Sequence, residues 1–320
     1  MNKVSFFKIA SLFFFLLTAQ LSFGQLICSD YQDWYQTTWS NSDEVHYQGK
    51  IYSPCYSSTT LEDPAGSVFI TGGSITVSKN TYLYFEKDFS KSGGSVTLNS
   101  DSNEFASMIV EGTETGSITY NKYVNYVGSD EWDIVGSPVT NQSISDFVTT
   151  NDDPLAVDTS GPTTYYALGT HDAATNAWTN YTASTVGDAG NFIPAKGYQM
   201  ATDYGATMAF TGGVATTTQS VSIQKQTVMW NLVANPFPSY IKGNITADAS
   251  NNFLKVNADA GIINGGNYLA VYGWRADDTG YKAFNYATGS TGIGSPLLIA
   301  PGQGFFIAAN SSDVAQLQFT

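Results

Sequence analysis

The chain is short of cysteine, histidine, cations and charge in general, and each shortage removes a class of function. Among 320 residues there are two cysteines, Cys28 and Cys55, and two histidines, His46 and His171. The closely spaced Cys/His sets of zinc sites are absent. Nucleophilic catalysis needs a base beside a nucleophile; neither histidine lies in an elbow or triad motif, which predicts a chain that is not an enzyme. Thirteen Lys and Arg stand against 27 Asp and Glu, a net charge of −14. That field repels a phosphate backbone, and no basic stretch is interleaved with aromatics, so no nucleic-acid partner is expected. Charged residues make up 12% of the chain, about half the usual ~25%. Ser, Thr, Asn, Gly and Tyr must cover the surface instead, as in extracellular β-proteins. Past the first 24 residues there is no apolar run near the ~20 residues a membrane-spanning helix requires, so no transmembrane segment is expected.

What is present begins with residues 1–24, which read as a signal peptide. Lys3 and Lys8 form its basic start, Ile9 to Leu21 its apolar run, and Ser22-Phe23-Gly24 its small-residue cleavage region. Gln25 would be the first mature residue. Cys28 and Cys55 are expected to pair in an oxidising compartment. A lipidated Cys28 is the rival reading, weakened by Ile27 where a lipobox wants a small residue.

No sustained 3.6-residue apolar period follows. Short alternating runs bounded by Gly, Asn, Asp and Ser read as strands and turns. The expected fold class is all-β, with tandem antiparallel β-sandwich (jelly-roll or Ig-like) modules preceded by a short-stranded β domain. The domains are expected at 25–116, 117–213 and 220–320. The evenly spaced strands of 25–116 suit a solenoid or a sandwich stack equally. The later two domains are copies of one another. Trp132-Asp133-Ile134-Val135-Gly136-Ser137-Pro138 aligns with Trp230-Asn231-Leu232-Val233-Ala234-Asn235-Pro236. Trp178-Thr179-Asn180-Tyr181 aligns with Ala283-Phe284-Asn285-Tyr286. Pro194-Ala195-Lys196-Gly197-Tyr198 aligns with Pro301-Gly302-Gln303-Gly304-Phe305, and Ala209-Phe210-Thr211 with Gln318-Phe319-Thr320. Repetition predicts that Trp132 and Trp230 are buried in two separate interiors. Gly197 and Gly304 are expected to supply a positive φ or a close backbone approach. The second copy stops where its pattern stops, which predicts a further domain downstream.

The Trp132–Pro138 and Trp230–Ser239 blocks, with Ala300-Pro301-Gly302-Gln303-Gly304-Phe305-Phe306 and Gly116–Val124, resemble passenger regions of large surface proteins exported by the bacteroidete type IX secretion system. The resemblance covers about Ser67 to Thr320. It implies an outer cell-surface location, the outer-membrane export machinery as a partner, and no shared activity. A C-terminal sorting domain usually follows these blocks in that group and is not present in this sequence. A second stretch, Trp39–Tyr52, resembles the opening of small chitin- or cellulose-binding modules, which stack exposed aromatics on sugar rings. Ser57-Ser58 stands where a second binding aromatic would be.

Trp178 aligns with Ala283 and Trp274 falls near Gly169, so the repeat does not demand either tryptophan. Unrepeated aromatics in hairpins are candidates for ligand contact, and Trp34 and Trp39 join them near the cysteines. Asp130-Glu131, Asp152-Asp153 and Asp277-Asp278 sit in turn-like stretches, where acids serve local hydrogen bonds. Loops rich in Asp and Asn leave calcium as the one cofactor to consider. The leading expectation is an adhesin-like or structural surface protein without catalytic activity, with an extracellular glycan or a surface protein as its partner. An extracellular-glycan binder using Trp34, Trp39, Trp178 and Trp274 is the alternative, and a glycoside hydrolase a distant third.

Overall fold

The structure, a computed structural model, describes residues 44–47, 50–52, 68–85, 87–128, 132–243, 252–264, 266, 268–275, 280–285 and 297–320. The expected signal peptide, Cys28 with Cys55, and Trp34 with Trp39 lie outside these residues. The fold is mostly β, with about 50% strand and 8% helix. Among the described residues no helix is long and apolar enough to cross a membrane.

The first part is a coil of parallel strands. Strands β1 (Glu44–Tyr47), β2 (Lys50–Tyr52), β3 (Val68–Val77), β4 (Tyr82–Phe85), β5 (Phe89–Asn99), β6 (Ser107–Val110), β7 (Glu114–Thr115) and β8 (Ile118–Val124) pair with their counterparts one coil on. β1, β3, β5 and β8 stack along one side, and β2, β4 and β6 along another. β7 lies beside the start of β5 on a third. Val68 lies beside Phe89, 21 residues on, and Thr97 beside Thr119, 22 on. Parallel pairing of this kind is the solenoid, one of the two arrangements the strand spacing allowed. Period-2 alternation sends Val77, Leu98 and Tyr120 inward in one column. Polar residues stack outside: the Asn121 amide donates to Asn99 Oδ1 at 2.9 Å, and Ser95 Oγ to Ser74 Oγ at 2.9 Å. Gly72-Gly73 and Gly93-Gly94 lie inside β3 and β5, where the register shifts. Glycine lets a strand turn a corner without leaving the ladder, and Gly94 takes φ 68°.

β8 is both the last rung and the first strand of the first repeat. The repeat continues through β9 (Asp133–Val135), helix α1 (Ile144–Thr150), β10 (Val157–Asp158), β11 (Tyr165–Asp172), β12 (Ala177–Thr182), β13 (Tyr198–Met200) and β14 (Ala206–Gly212). The second comprises β15 (Gln219–Ile223), β16 (Trp230–Ala234), β17 (Ile241–Lys242), helix α2 (Phe253–Asp259), β18 (Ala270–Arg275), β19 (Gly280–Asn285), β20 (Leu298–Ile299), β21 (Gly304–Ala308) and β22 (Ala315–Phe319). Their pairings correspond: β8–β14 with β15–β22, β9–β13 with β16–β21, β11–β13 with β18–β21, and β11–β12 with β18–β19. One hydrophobic cluster runs from Ile70 through Val214, so the solenoid and the first repeat share a core across residue 116, while a second cluster holds the second repeat.

The helices were absent from the sequence reading. Each has seven residues, too few to show a period. Ser143 Oγ caps the first by accepting from Asp146 N, and Asn252 Oδ1 the second by accepting from Lys255 N. Each helix presents one Phe and ends on one buried Asn or just within it. Phe147 packs 4.6 Å from Phe210, and Phe253 4.8 Å from Phe319. Asn151 donates to Phe147 O and Ala209 O and accepts from Ala209 N. Asn257 makes the same three bonds with Phe253 O, Gln318 O and Gln318 N. The amide thereby covers the unpaired edge of β14 or β22, which would otherwise be open to another strand.

Candidate functional site

The five-stranded sheet of the first repeat (β9–β13) and the four-stranded sheet of the second (β16, β18, β19, β21) each have two faces. In the second repeat Val233, Val271, Phe305 and Ile307 point into the core, so Trp230, Leu232, Tyr272 and Phe306 point the other way. In the first, Tyr198, Met200 and Val135 are core, leaving Ile134 and Gln199 on the outer face, with Trp132 just ahead of the strand. Trp132 and Trp230 are therefore half-buried rather than core residues, which corrects the expectation. They start their strands in the phase opposite to the core-facing valines, and Trp132 rests on a small patch of Ala156, Ala167 and Ala201.

The outer faces meet each other. Gly136 N donates to Gly302 O at 3.0 Å, and at the matching positions Ala234 N donates to Ala195 O at 2.9 Å. Val135 bridges Gln303 as Val233 bridges Lys196. These reciprocal contacts are those of a two-fold axis between the repeats. Glycine is needed at this contact. A Cβ on Gly304 would lie 2.4 Å from Ile134 Cγ2, and one on Gly197 2.6 Å from Leu232 Cγ. Of the two roles expected for these glycines, close approach is the one in use. Positive φ falls instead on Ala195 (62°) and its counterpart Gly302 (61°).

The hairpin β11–β12 of the first repeat reaches over the second repeat's outer face, and β18–β19 reaches back. Register places His171 opposite Trp178 and Trp274 opposite Tyr281. Gly169 lies beside Gln199 as Tyr272 lies beside Phe306. Trp178 thus corresponds to Tyr281 and Trp274 to His171, a two-residue correction of the sequence alignment that matched Trp178 with Ala283. Strand pairing, not string similarity, sets the equivalence.

Between the repeats lies an aromatic groove of adjoining pockets. The first, about 330 Å³, has Trp230, Tyr272 and Phe306 as floor and His171, Asn176 and Trp178 from the crossing hairpin as wall. The second, about 200 Å³, has Trp132, Ile134 and Gln199 as floor and Trp274 as wall. Trp178 and Tyr281 line both. Trp178 is 39% and Tyr281 52% exposed. Edge-to-face contacts hold the rings: Trp178–Phe306 at 6.1 Å, Trp274–Tyr281 at 5.1 Å and His171–Phe306 at 5.1 Å. His171 Nε2 is 3.2 Å from Asn176 Oδ1. Burial pushes the Tyr272 and Tyr281 hydroxyls above the ordinary tyrosine range, so both stay protonated and able to donate.

A third, polar pocket of about 310 Å³ adjoins the second, sharing Asp133, Ile134 and Trp274. The solenoid corner contributes Asp101 and Phe105, and β8 contributes Lys122. Lys122 is 6% exposed, with its ammonium 5.0 Å over the Phe105 ring. Burial pulls its pKa down to about 8 against the opposing pull of Asp133. Asp101 is held at about 2 by Lys79 and by the N–H groups of Asn103 and Glu104. Asp133 accepts from Asn125 N at 2.8 Å and from the Asn125 amide at 3.1 Å. Among the described residues no three His, Cys, Asp or Glu side chains converge to hold a metal ion.

Of the sequence-stated candidates, the structure brings Trp178 and Trp274 into one groove. Sequence reasoning missed Trp230, Tyr272, Tyr281 and Phe306. The signal was present in Tyr272-Gly273-Trp274, an every-second-residue aromatic pair, which fits a strand with one exposed aromatic face. Comparison with family models, with curated proteins and with solved structures found no match to this chain.

Proposed function

We propose that this chain is an adhesin-like, non-catalytic protein of the outer cell surface, built of stacked β-modules and binding an extracellular glycan through the groove between its repeats. One observation carries the reading: Trp178, Trp230, Trp274, Tyr272 and Tyr281 gather in one partly open groove with hydroxyl and amide groups at its edge. Pyranose rings present flat C–H faces to aromatic rings and hydroxyls to polar neighbours, so this mixture suits them. The non-catalytic part rests on the sequence, which holds two histidines, neither in a nucleophile–base motif. Export rests on the 1–24 signal-like segment, and the outer-surface location on the type IX resemblance. Each repeat is read as a sandwich-like module: in the second, the two-stranded β15–β22 sheet closes over the four-stranded one through a shared core, and in the first the β8–β14 pair, at the end of the solenoid sheet, takes the same place over the five-stranded one.

The experiment is a glycan array with pull-down on insoluble chitin and cellulose, using the wild-type chain and the Trp178→Ala variant. Binding that falls about tenfold or more in the variant, the loss of one well-used aromatic contact, supports the reading. Wild-type chain that retains no glycan, or retention unchanged in Trp178→Ala, removes it.

A further inference from the structure

The groove is longer than one sugar needs, and it is graded along its length. Trp178 and Tyr281 form the partition between its first two pockets, and Trp274 with Ile134 the partition between the second and third. The lining changes in order. The first pocket has an aromatic floor of Trp230, Tyr272 and Phe306; in the second, Gln199 takes the place that corresponds to Phe306; the third is mostly polar. No described residue lining the first two pockets is a lysine or arginine, the lysine of the third, Lys122, shares its pocket with Asp101 and Asp133, and the chain carries a net charge of −14. A polyanion would meet no cation in the first two pockets and would be repelled at long range. The third pocket needs all three parts of the chain: the solenoid corner, the first repeat and Trp274 of the second.

We propose that the groove takes an internal stretch of an uncharged glycan chain, one ring in each of three adjoining pockets, and so selects for chain length and against charge. This rests on the glycan reading of the same groove. Each aromatic partition serves the rings on both of its sides, so a second and a third unit each add a stacking surface and hydrogen bonds. A lone sugar uses only the first pocket, and a fourth unit extends past the three adjoining pockets that the described residues line.

The test titrates the full chain by calorimetry with uncharged oligosaccharides of one to six units, in the β-1,4-glucose, β-1,4-N-acetylglucosamine and β-1,4-mannose series, and with a uronate series as the charged arm. In at least one uncharged series, affinity is expected to rise by about tenfold per unit up to three and by less than about twofold beyond, as one aromatic contact and one hydrogen bond per pocket would give. Uronate chains of equal length should bind at least about tenfold more weakly. Trp274→Ala should lower the affinity for a three-unit chain by a clearly larger factor than the affinity for a single sugar, because Trp274 lines the second and third pockets directly and touches the first only through Tyr281. Binding that does not depend on length, equal binding of uronates, or a Trp274→Ala loss of the same factor at one and three units would overturn the chain-length proposal and leave the glycan reading standing. No binding in any series would overturn both.

Discussion

In the first repeat Asn151 clasps Ala209 of β14, and in the second Asn257 clasps Gln318 of β22 with the same three hydrogen bonds. Phe147 and Phe253 stack on the closing strands Phe210 and Phe319 at nearly the same distance. On the outer faces of the other sheet of each repeat, the one that holds β13 in the first and β21 in the second, the repeats part company. Gln199 stands where the second repeat has Phe306, Gly169 where it has Tyr272, and the His171–Trp178 pair where it has Trp274–Tyr281. Inside the smaller sheet, the register places the buried Lys122 where the second repeat has Val221. The faces that build cores have been kept alike, because a close-packed interior tolerates few exchanges. The faces that meet across the two-fold contact have diverged into a groove that differs from end to end.

Four measurements would break or sharpen that comparison. The largest effect is expected from Phe147→Ala and Phe253→Ala. Each ring is at or near full burial, so each change should cost about 3–5 kcal/mol in urea denaturation. A cost in one repeat less than half that in the other would mean the two helices are not equivalent. Asn151→Ala and Asn257→Ala come next, at about 2–3 kcal/mol each, because a buried strand N–H and two carbonyls lose their partner. A loss below about 1 kcal/mol would show water replacing the amide.

Lys122→Met tests the buried cation of β8 that stands where β15 has Val221. The native lysine falls from the model-peptide value of 10.5 to about 8 through desolvation, with Asp133 opposing. Between those values the unfolded chain holds a proton that the folded chain does not, so the lysine makes stability rise with pH across that window. The variant should be more stable by about 1–2 kcal/mol at pH 7, and the advantage should shrink as pH rises from 8 towards 10. A pH-independent difference would place the ammonium in contact with water. The smallest effect is Ala195→Gly, which gives the first repeat the residue the second has at Gly302. Relief of the left-handed backbone should stabilise by about 0.5–1 kcal/mol. Destabilisation would mean the Ala195 methyl, buried in the second repeat's cluster, outweighs the strain.

Much of the architecture was legible before any coordinates. The mostly-β character follows from alternation, and the matched blocks point to the duplication whose strand pairings correspond, both local properties of the string. The helices were not, although Phe147–Asn151 and Phe253–Asn257 share a Phe-x-x-x-Asn pattern within the duplicated region. A pattern of two residues carries little information until the strand edge it covers is known. For the groove, Trp178 and Trp274 were read as candidates because they stood outside the repeat; register shows that Trp178 and Tyr281 are counterparts, and that their placement at the shared wall is what matters.

By itself the sequence determined which residues form strands, because side chains alternating at period 2 can bury one face only in an extended chain. It also determined that one module occurs twice. Tertiary structure alone decided that the first strands coil in parallel, that Trp132 and Trp230 face out of their own cores, and that each repeat's hairpin walls the other's sheet. Those outcomes depend on which distant strands pair and in what register, and a one-residue shift in either would turn every one of these side chains to the opposite face.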